Sequence, residues 1–278
     1  VIYLVLSVLS SVMIGIIIRV NESRNLDRHG VMFVNYLTAT GLSLATAGAG
    51  SFTSDIRALL PMGVATGVLF VAGFLVYMQA VRKLGLAVPV TVTRLSVVIP
   101  VLGSLLFYAE KLSAPQILGL VLAGLSISLF GRGRRGKMET AGGGWLLLAV
   151  LFLLIGSGEL SLKVFRESFP LSVTPSFVLL VFGVSSVLTL ALVVVKRTRI
   201  EGNVVFGGIA LGIVNFLSAW FILKVLQGYP GAIAFPLNNI GVIGLATLAG
   251  RVFWNERLSR NAKIGMVTAL AAVILLNM

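Results

Sequence analysis

The sequence predicts an all-α membrane protein: ten transmembrane helices arranged as two inverted five-helix repeats. Three observations carry this. The 278 residues are 58% hydrophobic and only 11% charged, with a mean hydropathy of +1.05, whereas soluble domains run near half apolar and a quarter charged. The apolar residues gather into ten runs, each close to the about 20 residues that a bilayer core requires of a helix. Features of the first five runs return in the last five.

Cutting the chain where charge, Gly or Pro clusters interrupt the apolar runs places the helices in order at 1–19, 30–49, 58–80, 86–109, 114–131, 145–164, 174–195, 203–224, 231–254 and 260–277. The first run is followed by a basic loop and not by a small-residue cleavage site, so it reads as a first helix and not as a signal peptide. The fourth and ninth carry Pro89, Pro100 and Pro236, and proline inside a helix leaves carbonyls unpaired. That suits a cavity wall or a packing kink. Between the fifth and sixth runs, GRGRRGKMETAGGG (Gly131 to Gly144) is basic and Gly-rich. It divides the chain into a repeat at 1–131, a linker at 132–144 and a repeat at 145–278.

The repetition is visible residue by residue. Glu110, Leu112 and Ser113 match Glu256, Leu258 and Ser259 at an offset of 146. Upstream, Gly63 and Gly67 match Gly208 and Gly212 at an offset of 145. Both pairs are GxxxG, a spacing that lets helix backbones approach closely in lipid. Because five is odd, a second copy must enter the membrane in the opposite orientation, a recurring plan of secondary transporters with the binding site between the halves.

The formal net charge is +13, yet Lys and Arg punctuate apolar runs and form no continuous basic face, so nucleic acid is not an expected partner. They act as topology signals and contacts for anionic lipid headgroups. Cysteine is absent, which excludes disulfides, thiolate metal sites and a Cys nucleophile. The single histidine, His29, cannot build a metal cluster alone, and no cofactor is expected. No HExxH or GxSxG motif argues for a lipid-acting enzyme.

These residues resemble the drug/metabolite transporter superfamily, in particular its ten-helix members built from two EamA-type repeats. The pieces that carry the resemblance are Glu-Lys-Leu-Ser at 110–113 after Pro100, Glu-Arg-Leu-Ser at 256–259, and Gly156-Ser157 followed by Lys163. Ile155 stands where the family usually has Trp, and Arg19 takes the Lys place in the first half. The resemblance implies a carrier of small metabolites such as amino acids, sugars and their phosphates, or amphipathic drugs. It also implies that the fourth and ninth helices border a central cavity and that the fifth and tenth lie at the periphery.

Arg94 is the sharpest single feature, because it falls mid-helix in the fourth run, where Arg costs about 2.5–3.5 kcal/mol on insertion scales. It reads as a cavity guanidinium for a substrate carboxylate or phosphate, or as a permanent bridge between helices. Glu159 reads as the only acid well inside an apolar run. Burial there favours the neutral acid, which suits proton coupling, while a neighbouring Arg94 would hold it ionised. The bland alternative is a pair with Lys163 one turn on. Asn238 and Asn239 are adjacent amides that need partners and cannot share one helix face. Asn35, Tyr77, Gln79, Asn215 and Trp220 are further candidates, as interhelical glue or as ligands; Tyr36 joins them. Glu110 and Glu256 read as helix-boundary devices, with Ser113 and Gln116 as a capping box.

Cations near the odd-numbered loops total 16, against Arg57, Lys111, Lys163, Arg166 and Lys224 near the even ones, which predicts odd loops inside and both termini outside. Family members usually have cytoplasmic termini, so resemblance and charge disagree. The expectation is an integral protein of a prokaryotic cytoplasmic membrane that carries a small metabolite by alternating access. The nearest alternative is a proton-coupled multidrug exporter, with protons as a further partner.

Overall fold

The computed structural model describes residues 2–47, 56–108, 113–132, 143–228, 231–256, 259–276 and 278. The first repeat comprises α1 (Ile2–Ser23), α2 (Arg28–Ala47), α3 (Ile56–Leu84), α4 (Ala87–Leu95), α5 (Val98–Tyr108) and α6 (Ala114–Arg132). The second comprises α7 (Gly143–Ser168), α8 (Thr174–Val195), α9 (Gly202–Gly228), α10 (Gly231–Trp254) and α11 (Arg260–Leu276). No strand occurs among the described residues. Five helices, α1, α3, α7, α8 and α9, are individually long and apolar enough to cross a bilayer. The linker's central part, 133–142, and Glu110 with Lys111 lie outside the described residues.

The predicted fourth helix is two helices, α4 and α5, with a break at Ser96 and Val97. The cause lies four residues on. Pro100 has no N–H to bond the Ser96 carbonyl and its ring crowds that carbonyl; Ile99 N–H takes it instead in a tighter turn, at 2.9 Å. Pro89 does no such damage, because it sits in the first turn of α4, where backbone N–H groups lack intrahelical partners anyway. Pro236 also fails to interrupt its helix: α10 runs unbroken through it. A second correction concerns α1, which continues through Ser23. Glu22 is therefore a further acid within a helix, and its side chain is 2% exposed. The Arg28 guanidinium grips it through Nε (2.5 Å) and a terminal nitrogen (3.0 Å), with Arg82 Nε at 3.8 Å.

The repeats are interleaved. α3 packs against α7 and α8 of the other half, as α9 packs against α1 and α2; α2 meets α8, and α6 meets α11. Exchanging first for second repeat maps this set of pairs onto itself, which is the signature of a pseudo-two-fold axis. The GxxxG motifs sit at close contacts between the halves. A Cβ at Gly67 would lie 2.8 Å from Val184 Cγ1, and one at Gly212 would lie 2.6 Å from the Asn35 carbonyl and from Thr38 Cβ. Gly63 and Gly208 are likewise filled by Leu180 and Val34. Leu180 and Val184 follow Val34 and Thr38 by 146 positions, so the two motifs perform the same job twice. Thr40 and Ser186, also 146 apart, bond to each other at 2.9 Å across the axis.

Orientation follows from which loops meet. The end of α1 reaches the start of α9, where Asn21 fills the space beside Gly207, and Gly30 at the start of α2 lies against Thr198 and Val204. The α3–α4 turn meets Glu256 after α10. Loops 1/2, 3/4, 7/8 and 9/10 thus share one end, the basic end. In each repeat's own numbering these are first and third loops against second and fourth, which only inverted copies allow. At the periphery, α6 and α11 pack chiefly on each other, joined by Ser126 Oγ donating to the Gly265 carbonyl at 2.6 Å. The capping box forms as expected: Ser113 N–H donates to Gln116 Oε1 at 2.9 Å, and Gln116 N–H to Ser113 Oγ at 3.4 Å.

Candidate functional site

α4 enters from the basic end with a nearly dry first turn: Leu86, Ala87, Val88 and Val90 are all buried. It packs against α3, α7, α10 and α11 and delivers Arg94 seven residues past its start, about 10 Å along its axis. One residue later the helix ends. The break therefore puts a guanidinium beside a backbone that cannot satisfy itself with a regular ladder. Arg94 is half-buried, and its Nε is enclosed without a hydrogen-bond partner among the described residues.

Across from the break stands Glu159 on α7, also half-buried. Ser96 Oγ lies 3.3 Å from Glu159 Oε2 and donates more closely to the Thr93 carbonyl, at 2.6 Å. Glu159 and the Tyr77 hydroxyl are the groups whose electrostatics reach Arg94. Arg28 and Arg82 hold Glu22, and His29 faces Asp27 at 3.6 Å; Lys163, one turn on from Glu159, also has a partner. Tyr77 is buried, edge-on to Phe74 at a centroid distance of 6.2 Å. Ser96 is the site residue that sequence reasoning missed. The available signal was Pro100, four residues downstream, which marks where the helix must open.

The pair breaks the internal symmetry. At the 146-residue offset of the fourth and ninth helices the counterpart of Arg94 is Ile240. At the 144-residue offset that pairs Arg19 with Lys163, the counterpart of Glu159 is Gly15. Packing motifs recur in both repeats; these two charges do not.

The other candidates divide by location. Asn238 and Asn239 on α10 are both buried; Asn238 is 5% exposed and its Oδ1 has no partner among the described residues. Asn35 on α2 is fully buried, and its Oδ1 accepts from Asn215 Nδ2 of α9 at 3.4 Å. Tyr36 OH donates to the Phe70 carbonyl at 3.1 Å, tying α2 to α3. Gln79 lies half-buried on α3. Trp220 stands apart: it is 37% exposed, with Lys224 Nζ 5.3 Å from its ring centroid, an arrangement typical of a membrane–water boundary. Ser11 and Ser218 (2.8 Å) and Thr66 and Ser161 (3.0 Å) join helices across the repeats. An apolar groove of about 560 Å³ among α2, α3 and α8, lined by Leu44, Val64, Leu180, Gly183 and Val187, lies on helices other than those that carry Arg94 and Glu159. It suits acyl chains better than a polar solute.

Known proteins share this fold. A protein of known crystal structure superposes with a TM-score of 0.61 at 15% identity, covering 99% of this chain and 94% of its own, a likeness of fold alone. An uncharacterized protein of Haemophilus influenzae is 26% identical over 282 positions, 98% of this chain and 96% of its own length. The first repeat, residues 1–132, matches the EamA-like transporter family, a family of multi-pass membrane proteins within the drug/metabolite transporter superfamily.

Proposed function

We propose that this protein is a secondary transporter that moves a small metabolite bearing a carboxylate or phosphate across a prokaryotic cytoplasmic membrane, by alternating access between its two repeats. The observation that carries the reading is Arg94: a mid-membrane guanidinium at a helix break, with an unpartnered Nε and no counterpart in the other repeat. A planar guanidinium matches an oxyanion with two parallel donors. Intramembrane ionisable residues that face an interior generally mark substrate paths. The break gives α4 and α5 the freedom to move as separate rods, which rocking of the repeats requires.

The test is flux. Purified protein in liposomes, assayed with a panel of anionic and neutral metabolites, shows saturable uptake of an anionic member. Arg94→Ala reduces that flux by about tenfold or more, the worth of a lost charge-assisted contact, with thermal stability retained. Wild-type flux from Arg94→Ala removes the residue from the mechanism.

A second reading rests on the contact between Ser96 and Glu159, which places a carboxylate beside the helix break. In that reading Glu159 exchanges a proton during export of an amphipathic compound. Substrate-induced proton release that persists in Glu159→Gln counts against it.

A further inference from the structure

The α3–α4 turn at the basic end is held from two sides. From its own repeat, Arg19 donates to the carbonyls of Val81 (2.8 Å) and Arg82 (3.1 Å) at the end of α3, while Glu22 lies beside Arg82. From the other repeat comes Glu256. Its carboxylate accepts from the backbone N–H of Leu86 at 2.7 Å and of Ala87 at 3.4 Å, the first groups of α4. Two glycines make room for it. A Cβ at Gly85, where φ is +80°, would lie 2.5 Å from Glu256 Oε1, and a Cβ at Gly250 would lie 2.6 Å from Oε2. A carboxylate on orphan amides at a helix N-terminus is doubly favourable, through charge-assisted hydrogen bonds and through the helix dipole.

We propose that Glu256 is a latch between the repeats: it holds the first turn of α4 against α10 and keeps the basic end shut, and that end opens only when the carboxylate lets go of Leu86 and Ala87. The placement supports this. Glu256 follows α10, whereas α4 carries Arg94 at its other end, so one contact couples the closed end to the charged site through a single rigid helix of nine residues. The wall that it secures is dry, with Ala80, Leu84, Leu86 and Ala87 all buried. The neighbouring Glu22 cluster lies wholly within the first repeat and can stay intact while the repeats separate. A carboxylate in a cap is reversible in a way that the GxxxG packing is not, because water can replace its acceptor role once the end opens. The inference rests on the carrier reading above, but its readout needs no substrate, so each can fail without the other.

The absence of native cysteine makes the test direct. Ala80→Cys places one thiol behind the latch, and a membrane-impermeant maleimide is applied from the basic side of liposomes with sorted orientation. With Glu256 present, labelling is slow. Glu256→Gln and Glu256→Ala raise the rate about tenfold at unchanged melting temperature, and Glu256→Asp falls between. Native labelling rates in the folded Gln and Ala variants overturn the latch. Backbone amide exchange supplies a second measurement that does not depend on the thiol. In Glu256→Gln, exchange at Leu86 and Ala87 quickens about tenfold while that of α9 does not; exchange at the native rate also overturns the proposal.

Discussion

Arg94 and Glu256 illustrate two ways in which one charged side chain is tolerated in this fold. Glu256 has its compensation in view, two backbone N–H groups and the end of a helix. Arg94 lacks it at Nε, and that deficit is what a ligand oxyanion would remove. Lysine at 94 keeps the charge but loses the planar fork, so Arg94→Lys should retain the fold and still lose most of the flux; recovery of full flux would show that charge alone suffices. Glu22 makes the contrasting case. It is gripped by Arg28 through two contacts, and Glu22→Gln should lower the melting temperature by several degrees, the scale expected when a buried charged partner is removed, without changing substrate preference. Neither Glu22 nor Ser96 stands out in the linear sequence, since each lies beside residues that look like an ordinary helix end or an ordinary apolar run. Their roles arise from Arg28 and Arg82 in one case and from Glu159 in the other; Arg28 is six residues away, but Arg82 and Glu159 are distant in sequence.

At the scale of elements, GxxxG and proline do the defining work. Gly212 meets the Asn35 carbonyl and Thr38, so Gly212→Ala should separate α2 from α9 and lower the melting temperature. Gly183→Ala, where a Cβ meets nothing within 4 Å, should leave it unchanged. Equal effects from both would mean that close approach is not what the motif provides. Pro100 is the second determinant. Pro100→Ala restores a donor for the Ser96 carbonyl, and α4 and α5 should tend to join into one rod, drawing Ser96 from Glu159. Flux is then expected to fall while stability holds or rises, measured side by side in liposomes and by thermal unfolding. Helix number and span were legible in the sequence because bilayer thickness sets run length. That proline interrupts the fourth helix was legible too; which proline does so was not, because its effect depends on packing: Pro89 and Pro236 sit in helices that continue.

The whole molecule is two interleaved five-helix units whose loops 1/2, 3/4, 7/8 and 9/10 share one end. Inverted copies make a sharp topological prediction: Arg24 and Ser168, equivalent at the 144-residue offset, must lie on opposite sides of the membrane. Single cysteines at each, labelled from one side of sealed vesicles, check it, and labelling of both from the same side would contradict the fold. The sequence by itself determined the membrane setting, the helix count and the twofold repetition, because hydropathy, run length and internal offset are properties of a chain read in order. It also marked Arg94 and Glu159, since charge in an apolar run is conspicuous without any coordinates. Tertiary structure alone decided that α4 packs on α7, that Ser96 faces Glu159 and that Trp220 is exposed beneath Lys224. It decided too that Glu256 caps a helix of the other repeat. Those facts depend on which helices touch and at what rotation, and packing between distant segments sets both, with no trace in local composition.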